Sequence, residues 1–157
     1  MFCPDGTHTS HGDSMNVWKR LVLGYLGGMG YVSLELLWRG WSHGSMFLVG
    51  GVCFLLIGGT ERLELPLFAR GVVCAMLVTA VELVCGMIVN LGLGMGVWDY
   101  GGLPYNLLGQ ICLPYFFLWI LVSWGAILAD RGLRSGLFGE DISPWPGVFL
   151  PSLAIRN

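Results

Sequence analysis

Residues 71–93 read GVVCAMLVTAVELVCGMIVNLGL, and Glu82 is the single charged side chain in this stretch. A helix needs about 20 consecutive apolar residues to cross the hydrocarbon core of a bilayer. The whole chain has 157 residues, of which 11% are charged, whereas an average soluble domain is about 25% charged. So few charges cannot cover a water-exposed surface. The sequence therefore predicts an integral membrane protein of one domain.

Three other apolar stretches predict further spans, which cover about residues 21–37, 45–59 and 107–129. We therefore expect an all-α polytopic bundle of four transmembrane helices within residues 17–130. Residues 1–16 are polar and carry no signal-peptide pattern, so they are predicted to be a disordered or dispensable leader. Residues 131–157 contain three prolines that exclude a fifth span, and we expect a cytoplasmic interfacial tail there.

The lysines and arginines predict the orientation, because short cytoplasmic loops carry an excess of these residues. Arg39 alone lies between the first two spans, on the predicted outer side. The other seven basic residues lie on the opposite side of the predicted spans: Lys19, Arg20, Arg62, Arg70, Arg131, Arg134 and Arg156. We therefore expect a multi-pass protein of the cell membrane with both termini in the cytoplasm.

The glycines of the first two spans predict close contacts between helices. Gly24 and Gly28 form a GxxxG pattern, and Gly50 and Gly51 are adjacent in the second span. Small residues at such positions let helix backbones approach closely in lipid. Two interpretations remain open, which are packing inside one chain and the interface of a homodimer.

The cysteines predict neither a metal site nor a disulfide framework. The five are Cys3, Cys53, Cys74, Cys85 and Cys112, with no CxxC pair among them. Four of them lie in apolar stretches, where a cysteine behaves as a small apolar residue. We expect no metal and no cofactor.

Glu82 lies near the middle of the third span, where ionisable groups are costly and by default mark function. Thr79, Glu82 and Asn90 share one helical face, with Gly86 between the last two. We predict a substrate or ion pathway along this face, joined by Gln110 of the fourth span. The alternative is a protonated Glu82 that hydrogen-bonds a neighbouring helix.

Polar and aromatic side chains cluster at the predicted outer side and suggest a vestibule there. These residues are Glu35, Arg39, His43, Trp98, Asp99, Tyr100 and Asn106. A simple salt bridge between Glu35 and Arg39, four residues apart on one helix, is the alternative for that pair. Asn106 is also expected to be the N-cap of the fourth span. Ser42, His43 and Asp99 form too weak a pattern for a catalytic triad, so no catalytic residue is predicted.

Two segments carry a likeness to a known family. They are RGWSHGSMFLVGG at residues 39–51, preceded by a glutamate in the first span, and WDYGGLPYNLLGQICL at residues 98–113. Over about residues 15–119 the chain resembles the CmpB-like family of ABC-transporter type IV permeases, which are small multi-span membrane proteins. The family pattern continues through Pro104, Asn106, Gly109 and Ile111, but Gly101 stands where a serine is common.

The resemblance implies transport across the membrane, with no substrate named. We expect a permease subunit or channel, in which the ATPase is a separate subunit, since the chain has no GxxxxGK[ST] phosphate loop. That subunit would contact residues 61–66 or the start of the basic tail. One alternative is an accessory membrane protein that docks a partner through the outer WDY loop. A membrane enzyme acting on lipids is the less favoured third interpretation. The expected partners are the lipid bilayer, the ATPase and a second copy of the chain, and not nucleic acid.

Overall fold

The computed structural model of the chain describes residues 17–142 and residue 147. The predicted leader, most of the predicted tail and Arg156 lie outside the described residues. The described residues contain four α-helices: α1 (Val17–Arg39), α2 (Gly44–Gly59), α3 (Leu67–Gly86) and α4 (Leu113–Phe138). Each is long and apolar enough to cross a membrane, when α2 and α3 are counted with the helical turns that extend them. The predicted all-α four-span fold class is confirmed.

Two helical turns and one small hairpin complete the described secondary structure. A 3₁₀ turn, Thr60–Leu63, extends α2, and a π-helical turn, Met87–Gly92, extends α3. Strands β1 (Asn106–Leu107) and β2 (Ile111–Cys112) pair antiparallel. Because successive helices run in opposite directions, residues 40–43 and 93–112 lie at one end, which we call the loop end. The opposite end, with residues 60–66 and the start of α1, is called the terminal end.

The start of the fourth span differs from the prediction. The helix begins at Leu113, about two turns later than expected, and Cys112 occupies its N-cap position in an extended conformation. Asn106 is therefore not an N-cap, and Gln110 is not inside the helix. The physical reason is the backbone of the hairpin, because Tyr105 and Leu108 have φ angles of 54° and 55°. Such left-handed residues cannot belong to a right-handed helix.

Close packing joins α1 to α2 through small residues. A Cβ atom added at Gly51 would lie 2.7 Å from the carbonyl oxygen of Gly24, and one added at Gly28 would lie 2.5 Å from the carbonyl oxygen of Phe47. The glycines singled out in the sequence thus face each other within one chain. Whether a second copy also packs on this bundle remains a prediction.

We expect Gly51→Ala to destabilise the bundle by about 1–3 kcal/mol, because the added methyl group must push against backbone rather than against a movable side chain. Thermal unfolding of purified protein in detergent, followed by circular dichroism, measures the change. Gly59→Ala is the matched control on the same helix, since nothing lies within 4 Å of a Cβ added there. Equal midpoints for the two variants would contradict the packing described above.

Ion pairs join the helices at the terminal end. Glu61 of the 3₁₀ turn pairs with Arg70 of α3 and with Arg131 of α4. Arg70 is only 3% exposed. Asp130 lies 3.6 Å from Arg134 on the next turn of α4. Two further pairs at this end are Arg134–Glu140 and Lys19–Glu140. These ion pairs therefore connect the ends of all four helices.

Candidate functional site

The loop of residues 93–112 is folded by its own polar groups. The indole Nε1 of Trp98 donates to the carbonyl oxygen of Gln110 at 3.0 Å, and the backbone nitrogen of Tyr100 donates to the carbonyl oxygen of Gly109 at 2.7 Å. The side chain of Asn106 donates to the Leu103 carbonyl at 2.8 Å and accepts from the backbone nitrogen of Gly109 at 3.2 Å. These bonds hold the loop as a compact unit against the end of α3.

Two amides fasten this unit to α3. The Asn90 Nδ2 donates to the carbonyl oxygen of Trp98 at 2.9 Å and to the Gln110 Oε1 at 2.8 Å, and the Asn90 Oδ1 accepts from the backbone nitrogen of Val97 at 2.7 Å. Gly86 leaves the room for Gln110, because a Cβ there would lie 2.9 Å from the Gln110 Cβ. Both amides are therefore occupied by the fastening of the loop.

The fastened loop brings a phenol to Glu82. The Tyr100 hydroxyl donates to Glu82 Oε1 at 3.1 Å, and Trp119 Nε1 of α4 donates to Oε2 at 2.6 Å. Glu82 is 4% exposed. Burial raises the pKa of the Tyr100 phenol above its usual range, and the charge of Glu82 raises it further, so Tyr100 stays a donor. Among the described residues no lysine, arginine or histidine pairs with Glu82.

Glu82 lies on the wall of a cavity of about 230 Å³, which we call the chamber. Six aromatic rings line it, namely Tyr31, Trp38, Trp98, Tyr100, Tyr115 and Trp119. The Tyr100 ring stacks on Tyr115 with centroids 4.5 Å apart, and Tyr31 stacks on Trp119 with centroids 6.0 Å apart. Leu34 and Trp38 at its edge are 51% and 75% exposed. The chamber therefore opens on the surface of the bundle near the loop end.

The other two charged groups of the chamber neutralise each other. The Arg39 guanidinium donates to Glu35 Oε1 at 2.5 Å and to the carbonyl oxygen of Val97 at 3.1 Å. The hydroxyl of Ser42 donates to the remaining Glu35 oxygen at 2.5 Å. The Arg39 guanidinium also lies 4.2 Å from the centroid of the Trp41 ring. Ionised Glu82 would therefore give the chamber a net charge of about −1.

Comparison with known proteins identifies the family of the chain. A family model described as "Putative ABC-transporter type IV" matches residues 22–130 of the chain. The chain belongs to this ABC-transporter type IV family. Neither a curated protein nor a solved structure matches the chain. Family and fold together make it a small, multi-pass, transporter-like membrane protein.

One of the two segments that carry the family likeness, residues 98–113, builds one side of the chamber. Trp98 and Tyr100 line the chamber directly. Asp99 instead accepts a bond from the backbone nitrogen of Gly101 at 2.7 Å and thereby forms the turn after Tyr100. Asn106 holds the hairpin. In this member of the type IV family the segment thus folds so that its tyrosine reaches Glu82.

The predicted site residues separate into three groups in the structure. Glu82 lies in one chamber together with four residues of the predicted vestibule, Glu35, Arg39, Trp98 and Tyr100. Asn90, Gln110, Asp99 and Asn106 hold the loop and do not line the chamber. His43 accepts a bond from the backbone nitrogen of Ser45 and caps α2, and the Thr79 hydroxyl is buried with no partner among the described residues.

Several chamber residues were missed by the sequence analysis. Tyr31 and Trp38 line the chamber from α1, and Tyr115 and Trp119 line it from α4. The spacing of the α1 residues indicates that they share a surface, because Tyr31, Glu35 and Trp38 lie at i, i+4 and i+7 on one helical face. Aromatic residues near helix ends also serve as interfacial anchors, which is why they did not stand out.

Proposed function

We propose that this protein is the membrane subunit of a transporter and that its chamber binds a monovalent organic cation, with Glu82 as the counter-ion. The observation that carries the proposal is the environment of Glu82. Its two oxygens accept bonds from two neutral donors, Tyr100 and Trp119. No cationic side chain among the described residues pairs with it. A buried carboxylate gains most from a positively charged partner.

The walls of the chamber support a cation of organic rather than inorganic character. Aromatic faces attract cations through the ring quadrupole, and cages of several rings bind quaternary ammonium groups. Six rings surround the chamber, whereas an inorganic divalent ion would call for several oxygen ligands. Among the described residues of the chamber, Glu82 supplies the one carboxylate without a cationic partner.

The two ends of the bundle support a transport role. The chamber opens near the loop end, while ion pairs connect all four helices at the terminal end. Such an arrangement fits a state open to one side only. The energy would come from a separate ATPase, because the chain has no phosphate loop of its own. We place this ATPase at the terminal end, against residues 61–66. The basic residues predict that this end faces the cytoplasm.

The test is to block the chamber with a thiol reagent added on the outer side of the membrane. Leu34 lines the chamber and is 51% exposed, while Leu36 on the same helix is 50% exposed and does not line it. Each is replaced by cysteine in a chain whose native cysteines are alanine. A bulky, membrane-impermeant thiol reagent is added outside vesicles that hold the protein with its native partners. We expect labelling of Leu34→Cys to stop the uptake of radioactive tetramethylammonium and labelling of Leu36→Cys to leave it unchanged.

Excess unlabelled tetramethylammonium should protect Leu34→Cys from the reagent. Equal uptake by both labelled variants would contradict the proposal. If uptake by Leu34→Cys is blocked only when the reagent is added inside the vesicles, the chamber remains the binding site and the predicted orientation is reversed.

One observation favours the second candidate, an accessory protein that docks a partner through the loop. Tyr105 is 82% exposed, and Leu107 and Leu108 are 52% and 61% exposed at the tip of the hairpin. Leu108→Asn removes apolar surface there without added strain, because asparagine tolerates a positive φ. Loss of a co-purifying protein in this variant, with tetramethylammonium uptake absent from the native chain as well, would favour docking over transport.

A further inference from the structure

A second cavity, of about 460 Å³, adjoins the chamber and has a different character. We call it the groove. Its walls come mainly from α1, α2 and α4, and they include Leu26, Phe54, Ile57, Ala126 and Leu133. No charged side chain of the described residues lines it. The groove arises because α1 packs almost entirely on α2 and touches α4 little.

The chamber and the groove share a wall. Tyr31, Leu34, Trp119 and Val122 line both cavities. From Trp119 the groove follows α4 to Leu133, a distance of roughly 20 Å at 1.5 Å per residue. The chamber thus lies beside the groove at its loop end, and the groove extends from their shared wall towards the terminal end.

We propose that the transported cation is an amphiphile, with an alkylammonium head in the chamber at Glu82 and a single aliphatic tail in the groove. The inference rests on the cation site of the proposed function and names its substrate class. Charge complementarity places the head in the chamber, because Glu82 and the aromatic rings lie there, beside the loop end of the groove. The apolar lining places the tail in the groove, because the transfer of a hydrocarbon chain from water to an apolar surface is favourable. A small hydrophilic cation would leave the groove unused.

The test compares two ligands that share a head. Tetramethylammonium has no tail, and dodecyltrimethylammonium carries a tail of twelve carbons. Binding is measured by equilibrium dialysis against the full-length protein in nanodiscs, below the micellar concentration, with empty nanodiscs subtracted. We expect the tailed ligand to bind at least about tenfold more tightly, because its methylene groups leave water.

Two glycines of α4 provide a matched pair of variants. Gly125 lines the groove, Gly132 does not, and a Cβ added at either meets nothing within 4 Å. Gly125→Leu should remove the advantage of the tail and leave tetramethylammonium binding unchanged, whereas Gly132→Leu should bind both ligands like the native chain. Glu82→Gln should weaken both ligands.

The outcomes separate this inference from the proposed function. If tetramethylammonium binds with dependence on Glu82 but the tail adds nothing, the amphiphile inference is wrong and the cation site remains. If Gly125→Leu has native tail affinity, the groove does not hold the tail. If Gly125→Leu instead converts a dimer to a monomer in native mass spectrometry with tail affinity unchanged, the groove binds a second copy and the inference is overturned. Tight, Glu82-dependent binding without any uptake would support the two cavities as a binding site for an amphiphilic cation and contradict transport.

Discussion

Vesicles that carry Glu82→Gln should take up tetramethylammonium about 100-fold less efficiently than vesicles with the native chain. Removing one member of a buried, hydrogen-bonded charge pair costs about 2–5 kcal/mol, and every 1.4 kcal/mol is tenfold in affinity. Glutamine keeps the shape of the side chain and one acceptor oxygen for Tyr100 or Trp119. The change therefore removes the charge while the packing around it stays almost the same.

Glu64→Gln is the control for Glu82→Gln, because Glu64 is exposed in the turn between α2 and α3, far along the chain from the chamber. We expect Glu64→Gln to bind tetramethylammonium like the native chain in equilibrium dialysis. Thermal unfolding of both variants shows whether either has lost its fold. Native uptake by a folded Glu82→Gln would mean that Glu82 has a structural role, as in the alternative of a protonated Glu82 that hydrogen-bonds a neighbouring helix.

Glu61→Gln should lower the free energy of unfolding by on the order of 3 kcal/mol. Glu61 is the shared partner of Arg70 and Arg131, and the Arg70 side chain is 4% exposed. Losing one partner of a buried ion pair leaves an uncompensated buried charge, which is a costly change. Thermal denaturation in detergent, followed by circular dichroism, measures the loss.

Arg62→Gln provides a comparison within the same 3₁₀ turn, because it also removes one charge but at an exposed position. We expect this variant to unfold within about 0.5 kcal/mol of the native chain. If Glu61→Gln lowered the free energy of unfolding as little as Arg62→Gln, the terminal end would not depend on its ion pairs. Those ion pairs would then no longer support a closed terminal end.

The membrane fold could be predicted from the sequence because it depends on a simple quantity, the length of apolar stretches. Residues 71–93 exceed the thickness of a bilayer whatever their neighbours are, and α3 with its π turn covers nearly the same residues. Glu82 was also visible, since a carboxylate in the middle of such a stretch is rare. The glycines of α1 and α2 were recognised as packing residues by their spacing.

The start of α4 and the roles of the loop amides could not be predicted in the same way. Asparagine favours both an N-cap and a turn, and only the hairpin, with Tyr105 at positive φ, decides between them for Asn106. Asn90 shares a face with Glu82, yet it bonds Gln110 and the backbone of the loop. Gln110 is 20 residues from Asn90 in the sequence, and Trp98 lies beyond the end of the helix, so spacing along one helix does not reveal these contacts.

The chamber itself required the tertiary structure. Glu35 and Glu82 come from two different helices, and the aromatic rings come from α1, α4 and the loop. From the sequence, Glu82 was predicted in a pathway along α3, and Glu35 with Arg39 in an outer vestibule. The structure brings them to the walls of one cavity, because the loop folds inward and places Tyr100 over Glu82.

The most direct test of the cation site is the indole N–H signal of Trp119, whose proton is bonded to Glu82. Protein with ¹⁵N-labelled tryptophan is placed in nanodiscs and titrated with tetramethylammonium while nuclear magnetic resonance spectra are recorded. The Trp124 indole, beside Phe68 and Gly71, is the internal control on the same helix. The cation site predicts a saturable shift of the Trp119 signal and none of the Trp124 signal. An unchanged Trp119 signal at concentrations that saturate uptake would contradict the assignment of Glu82 as the counter-ion.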